Sequence, residues 1–352
     1  MIVNARFLTQ NLTGVQRHAI EISLVLKKLQ PDIRFIAPKN IIHDKIAEIL
    51  GAEIIGHFTG YIWEQYELPR FMKNQGHGGL LINLANMAPI NYKNKIVTIH
   101  DTAPLRHPEW YSWKFATVYK WLLPRVAKSS RIIFSDSEFS KNEIADVLKI
   151  DRAKIEVIHC AANQRFSRLK SNEIDIPTQD YILCVASIDP RKNFTRLLEA
   201  FSLLDRRNLK LIIVGSKSKV FAESTLDKTE SLSDQIEFTG HISDDRLIEL
   251  YRHAGLFVYP SLYEGFGLPP LEAMACGCPC VVSDSGSLPE ICGEAAVYCD
   301  PYDSNDITAK INQVLSDENL KQRLIENGYS QARKFNWEKS AQRLLETIKK
   351  LS

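Results

Sequence analysis

Long apolar runs are absent from this 352-residue chain; none approaches the roughly 20 residues a helix needs to cross a bilayer. The N-terminus, MIVNARFLTQ, lacks the basic-then-apolar order of a signal peptide, so a cytoplasmic location is expected. Cysteine is sparse. Seven residues cannot all pair, which excludes a disulfide-stapled scaffold and leaves reduced thiols as the expectation. Charge of one sign is scarce too: the net is +2, too little to argue for a nucleic-acid partner. Gly (16) and Pro (15) are near ordinary usage, so collagen-like and low-complexity chains are ruled out.

What remains, with 45% hydrophobic and 24% charged residues, is a globular protein long enough for about two domains. The small net charge hides an asymmetry. Residues 1–175 carry 24 basic against 17 acidic residues, a net of +7, and residues 176–352 carry 20 against 25, a net of −5. Short β-branched runs alternate with helical patterns, which predicts parallel sheets covered by helices on both faces. Strands are expected at 2–7, 34–37, 80–83, 96–100, 131–135 and 155–159, and the pattern restarts at 181–187, 209–216, 236–240, 255–261 and 280–284. A polar, aperiodic stretch from Arg165 to Gln179 reads as a hinge. The expected division is a domain over 1–170, a second over 171–335, and a terminal helix over 336–352 that packs back on the first. Two such α/β domains imply a ligand site at the carboxyl ends of their strands, in the cleft between them.

Cys276, Cys278 and Cys280 form the only cysteine cluster, but no second ligand pair lies at zinc spacing, so buried thiols are favoured over a metal. More informative is the segment Ser261–Pro301. A strand leads into Glu264-Gly265-Phe266-Gly267 and then into a helix near Pro269, whose first turn is expected to carry Glu272. Amides at a helix start approached through glycines suit a diphosphate. A carboxylate eight residues after Glu264 can accept hydrogen bonds from paired polyol hydroxyls.

This segment resembles the retaining GT-B glycosyltransferases of family GT4, whose signature is two glutamates separated by seven residues. Glu264 and Glu272 match, as do the Gly-Phe-Gly-Leu-Pro context, the Gly277 turn and the helix start Ser287-Leu-Pro-Glu290, which also reads as a capping box. The resemblance implies that Glu272 holds the donor ribose, that Glu264 contacts the donor sugar, and that the amides of Phe266, Gly267 and Leu268 line sugar and diphosphate. In Ser187–Phe194, Lys192 matches the family lysine that neutralises the departing diphosphate. Ser187 stands where members usually carry an arginine, and Arg191 is the expected substitute. Gly14, between the first strand and a helix, matches a glycine loop that touches donor phosphate or acceptor. His100, with Asp101 to orient it or to meet the acceptor, is expected near the donor sugar. The loop with His241 and Ile242 matches the segment whose main chain holds the nucleobase. No Asp-x-Asp occurs, so a metal-free reaction with no cofactor beyond the nucleotide sugar is expected.

The reading is therefore an α/β protein of two doubly wound Rossmann-like domains, a retaining hexosyltransferase. The sequence looks most like bacterial O-antigen and lipopolysaccharide enzymes, with GDP-mannose as first donor and UDP-GlcNAc or a deoxyhexose nucleotide as alternatives. A sugar-nucleotide 2-epimerase and a catalytically silent sugar-nucleotide-binding protein are the rivals from other classes. A glycan or polyprenyl-diphosphate-linked acceptor is expected. Residues 110–131 hold three of the five tryptophans, and Trp113, Trp121, Lys114, Arg125 and Lys128 share one helical face. That composition predicts reversible contact with the inner membrane. Phe115, Tyr119, Leu122 and Val126 are expected to face the core, and Pro124 to break the helix in two.

Overall fold

The computed structural model describes residues 1–74, 78–167, 179–187, 189–215 and 234–351. Most of the expected hinge therefore lies outside the described residues, as do Ile188 and Ser216. The chain forms two compact units, residues 1–160 with 336–352, and residues 161–335.

Among the described residues, the first unit has one seven-stranded sheet with the order β3-β2-β1-β4-β5-β6-β7, every pair parallel. Its strands are β1 (Ile2–Asn4), β2 (Arg34–Ala37), β3 (Glu53–Ile54), β4 (Leu81–Asn83), β5 (Lys95–Thr98), β6 (Ile132–Ser135) and β7 (Ile155–Val157). The apolar run that begins at Ile2 does not stay extended to Phe7. Arg6–Thr9 turns into a 3-10 helix whose Phe7 and Leu8 enter the core, so burial without strand geometry mimicked a longer strand.

The second unit has a six-stranded sheet, again all parallel, with the order β10-β9-β8-β11-β12-β13. These strands are β8 (Gln179–Val185), β9 (Lys210–Val214), β10 (Ile236–Gly240), β11 (Ala254–Tyr259), β12 (Cys280–Ser283) and β13 (Ala296–Cys299). Covered on both faces, the central strands read as unbroken apolar runs; Leu256, Phe257 and Val258 are fully buried. The six cysteines of this unit are buried thiols in its core. Cys278 Sγ faces the Ala254 carbonyl at 3.8 Å, and burial pushes the Cys276 thiol up to about 12.

Each sheet has one place where the chain departs to opposite sides, between β1 and β4 in the first unit and between β8 and β11 in the second. Open parallel sheets bind ligands in the crevice at such a point.

The helix Trp337–Lys349 returns to the first unit. Trp337 lies 5.5 Å from the His18 ring, and Ser340 Oγ donates to the His159 carbonyl at 2.7 Å. The helix Trp113–Ser129 runs unbroken through Pro124, because Leu122, Leu123, Val126 and Ala127 are buried on both sides of it. Tyr119, Leu122 and Val126 face the core as expected. Phe115 does not: it is 37% exposed, stacked on Tyr119 and Tyr111.

Candidate active site

In the second unit, two loops meet at the point where the chain departs from β8 and β11. After β8, Asp189 caps a short turn by accepting from Arg191 N at 3.0 Å. Asn193 follows in the left-handed region (φ 58°), and its side-chain amide donates to the carbonyls of Pro260 (3.0 Å) and Pro301 (2.6 Å). Leu262 N donates to the Arg191 carbonyl at 2.7 Å. These bonds fasten the loop after β8 to the loop after β11. The result is that Lys192 Nζ sits 2.5 Å from Glu264 Oε1 and donates to the Tyr259 hydroxyl at 2.6 Å, with all three groups buried.

Burial would raise the Glu264 carboxyl, but the charges of Lys192 and Arg191 outweigh it and hold Glu264 below its usual value. Burial lowers the Lys192 ammonium, with Glu264 opposing. The pair is thus an ion pair shielded from water, where electrostatic interactions are stronger than in solvent.

Two glycines make this geometry. Gly286 has φ +66°, and a Cβ there would lie 2.7 Å from the Glu264 carbonyl oxygen and 2.8 Å from its nitrogen. Gly267 (φ +101°) is the residue before the helix Leu268–Ala275 and turns the chain into it. Glu272 is the fifth residue of that helix, on its second turn rather than the first, because the helix opens one residue before Pro269. It is buried, and the Tyr251 hydroxyl reaches its Oε2 at 3.5 Å. The capping box expected at Ser287 does not form. The Ser287 hydroxyl donates instead to the Glu264 carbonyl at 3.1 Å and steadies that loop. Phe266 packs edge-on against Phe335 at 5.6 Å. Ser187 and His241 are exposed, while Ile242 is half-buried against the core. Arg191 Nε lies 3.5 Å from Asp189 Oδ2.

In the first unit, Gly14 opens the helix Gly14–Leu29, and a Cβ there would meet nothing within 4 Å. The fold therefore does not require glycine at that position. His100 is buried, but its carboxylate partner is Asp136, not Asp101. Nδ1 lies 2.6 Å from Asp136 Oδ2, whereas Asp101 Oδ1 accepts from Ala103 N at 3.1 Å in its own turn. The second ring nitrogen, Nε2, lies 3.2 Å from the Leu84 carbonyl. Both ring nitrogens thus face an acceptor, an arrangement that favours the protonated ring. Burial opposes that charge, yet Asp136 and the Leu84 carbonyl raise His100 above its ordinary value. The next histidine inward, His18, stands edge-on at 4.8 Å and is lowered to about 4 by burial, so it is neutral. His18, Asp136 and Cys160 are the only described group whose ligand atoms gather closely enough to suggest a metal.

Sequence reasoning missed Asp136. It also missed a buried network at the β1/β4 point. There Glu64 Oε1 accepts from Asn4 Nδ2 (2.8 Å) and Arg6 Nε (3.0 Å), while Asn4 donates to Asn83 Oδ1 (3.0 Å). Their separations in sequence leave no local spacing to find.

Two family profiles match the chain: Glycosyltransferase Family 4 over residues 12–165 and Glycosyl transferases group 1 over residues 167–331. O-antigen chain mannosyltransferase B of Escherichia coli is 31% identical over 75% of this chain and 72% of its own length. The serotype-specific mannosyltransferase WbdA of the same species is 32% identical over 73% of this chain but only 33% of its own length. The O-antigen chain mannosyltransferase RfbU of Salmonella typhimurium is 26% identical over 89% of this chain and 90% of its own. Among solved structures, Anabaena HepE in complex with UDP and glucose matches with a TM-score of 0.77 at 16% identity, covering 99% of this chain and 98% of that one. WaaG, a glycosyltransferase involved in lipopolysaccharide biosynthesis, matches at 0.72 and 14%, with 99% and 98% covered. The chain belongs to glycosyltransferase family 4: it is a retaining hexosyltransferase of GT-B fold that takes a nucleotide-sugar donor.

Proposed function

We propose that the protein transfers mannose from GDP-mannose to a glycan or polyprenyl-diphosphate-linked acceptor during bacterial surface-polysaccharide synthesis, working in the cytoplasm at the inner membrane. The observation that carries this reading is the buried Lys192–Glu264 pair at the strand ends where a parallel sheet receives its ligand. The mannosyl choice rests on the activities named for the relatives above.

In this reading Glu272 accepts from the donor ribose hydroxyls, and Glu264 contacts the donor sugar. The amides of Phe266, Gly267 and Leu268 line sugar and diphosphate, and the main chain around His241 and Ile242 meets the base beside Ser187. Lys192, with Arg191, stabilises the charge that develops on the diphosphate. For the first unit, the family resemblance assigns Gly14 to the donor phosphate or the acceptor. His100, its ring held by Asp136 and the Leu84 carbonyl, is the first-unit residue assigned to the donor sugar. The bond from C1 to the phosphate oxygen breaks as the acceptor oxygen bonds to C1 on the same face. The acceptor proton passes to the leaving phosphate, and GDP departs. Neither a protein nucleophile nor a metal takes part.

The helix Trp113–Ser129 supplies the membrane contact. Trp113 and Trp121 are 73% and 56% exposed, with Lys114 and Arg125 over their rings, and no acidic residue lies between Tyr111 and Ser135.

A thermal-shift screen of GDP-, UDP- and dTDP-sugars, followed by product detection in EDTA, tests the proposal. Stabilisation and transfer with GDP-mannose are expected. A response confined to a UDP-sugar refutes the donor, and reversible loss on chelation refutes the metal-free step.

A further inference from the structure

The Lys192–Glu264 pair has a third member. Tyr259, the last residue of β11, is 1% exposed, and its hydroxyl accepts from Lys192 Nζ at 2.6 Å. The ammonium lies 5.0 Å from the centre of the Tyr259 ring, so it meets the hydroxyl end rather than the face, and the contact is a hydrogen bond rather than a cation–π one. A phenol that accepts still has its own O–H to place, and that bond goes to Glu264. Lys192, Tyr259 and Glu264 thus close a circuit of three hydrogen bonds drawn from the loop after β8, the end of β11 and the loop after β11.

An ammonium has three N–H groups on a flexible four-carbon stem. Tyr259 and Glu264 take two of them, which fixes the direction of the third and leaves it for a ligand. With Glu264 as its only partner, the ammonium would turn about that one bond. Tyr259 itself is held by packing, its ring stacked on Phe257 with centres 5.7 Å apart. It stays an uncharged partner as well, because burial first, and then the Glu264 charge, push the phenol well above its ordinary range.

We propose that Tyr259 is a positioning residue of the transfer reaction, holding the Lys192 ammonium beside Glu264 so that one N–H remains for the departing diphosphate. The diphosphate rests on the glycosyl-transfer reading; the hold on Lys192 does not, and the test separates the two.

Tyr259→Phe removes the hydroxyl and keeps the ring. The full chain, isotope-labelled at lysine Cε and Nζ, is titrated by NMR, with the Lys192 signal identified by its loss in Lys192→Arg. Burial lowers this ammonium, Glu264 and Asp189 raise it, and Arg191 lowers it further, while the neighbouring Cys184 thiol, pushed up to about 12 by burial, stays uncharged. With one acceptor gone, the Lys192 midpoint should fall by roughly one pH unit, a tenfold loss of proton affinity. In hydrolysis of GDP-mannose, where water stands in for the acceptor, kcat should fall roughly tenfold with KM unchanged. The alkaline limb of the kcat profile should move with the Lys192 midpoint. Tyr181→Phe is the control. It deletes another buried hydroxyl of the same sheet, one that donates to the Leu250 carbonyl at 2.7 Å, and should cost stability without moving midpoint or limb. If Tyr259→Phe fails to fold, a nuclear Overhauser contact between the Lys192 ammonium and the Tyr259 ring in the wild type carries the test. An unmoved midpoint, a missing contact, a KM that rises as kcat falls, or a Tyr181→Phe profile that matches Tyr259→Phe would overturn the proposal. A lowered midpoint in a chain inert toward GDP-, UDP- and dTDP-sugars would uphold the hold on Lys192 and remove the transfer reading alone.

Discussion

Removing Lys192 should damage the fold as well as the reaction, and the two effects can be separated. Its ammonium is 2.5 Å from Glu264 Oε1, and each side chain is only 8% exposed. Lys192→Ala strands a carboxylate in a site without water, a change that costs about 3–5 kcal/mol in comparable buried pairs. For a unit of this size, each kcal/mol moves the melting midpoint by roughly 2–4 °C, so a fall of roughly 6–20 °C is expected. Glu264→Gln in the same chain removes the stranded charge and should restore about 1–3 kcal/mol, a coupling readable by double-mutant cycle. Urea unfolding monitored in the second unit, on wild type, both single variants and the double variant, gives the four corners. Lys192→Ala should also lower turnover beyond what its folded fraction explains if, as proposed, its charge meets the departing diphosphate. Additive effects, with the double variant as unstable as the sum of the singles, would refute the claim that Lys192 and Glu264 stabilise one another.

Glu272→Ala should weaken binding of GDP alone by roughly ten- to hundredfold, through loss of a charged acceptor worth about 1.5–3 kcal/mol; unchanged affinity in calorimetry would remove Glu272 from the ribose. His18 titrates near 4 when folded against 6.5 when unfolded. Below 6.5 the unfolded chain therefore binds the extra proton, and stability falls as pH drops from 6.5 toward 4. About 2 kcal/mol should be lost between pH 7 and pH 5, and His18→Gln should flatten that slope in denaturation curves. Trp113→Ala with Lys114→Ala should reduce sedimentation with anionic vesicles at low salt; equal recovery with neutral vesicles would refute the membrane contact.

The second unit was legible because its chemistry is local. Glu264, Gly267 and Glu272 fall within nine residues, and a strand, a glycine turn and a helix start in succession leave few alternatives. The first unit was harder to read. His100 and Asp136 are 36 residues apart, joined only because β5 and β6 are neighbours, so the adjacent Asp101 drew the inference instead. Arg6 and Glu64 are 58 apart and meet through a π turn that ordinary helical periodicity does not show. Two edge strands escaped notice for another reason. Glu53–Ile54 is two residues long and exposed, and Ala296–Cys299, although apolar, is a short strand at the sheet edge whose middle residues are only half-buried.

The return of Trp337–Lys349 to the first unit orders events during synthesis. Residues 161–335 form an uninterrupted unit that can close as soon as it leaves the ribosome, whereas residues 1–160 still lack the segment that covers His18. At roughly 5–20 residues per second, translation of the intervening stretch keeps that face waiting for roughly 10–35 s. The half that emerges first is therefore the last to be finished. Throughout that interval the helix Gly14–Leu29 lacks its partner, which makes it the surface a chaperone would meet on the nascent chain.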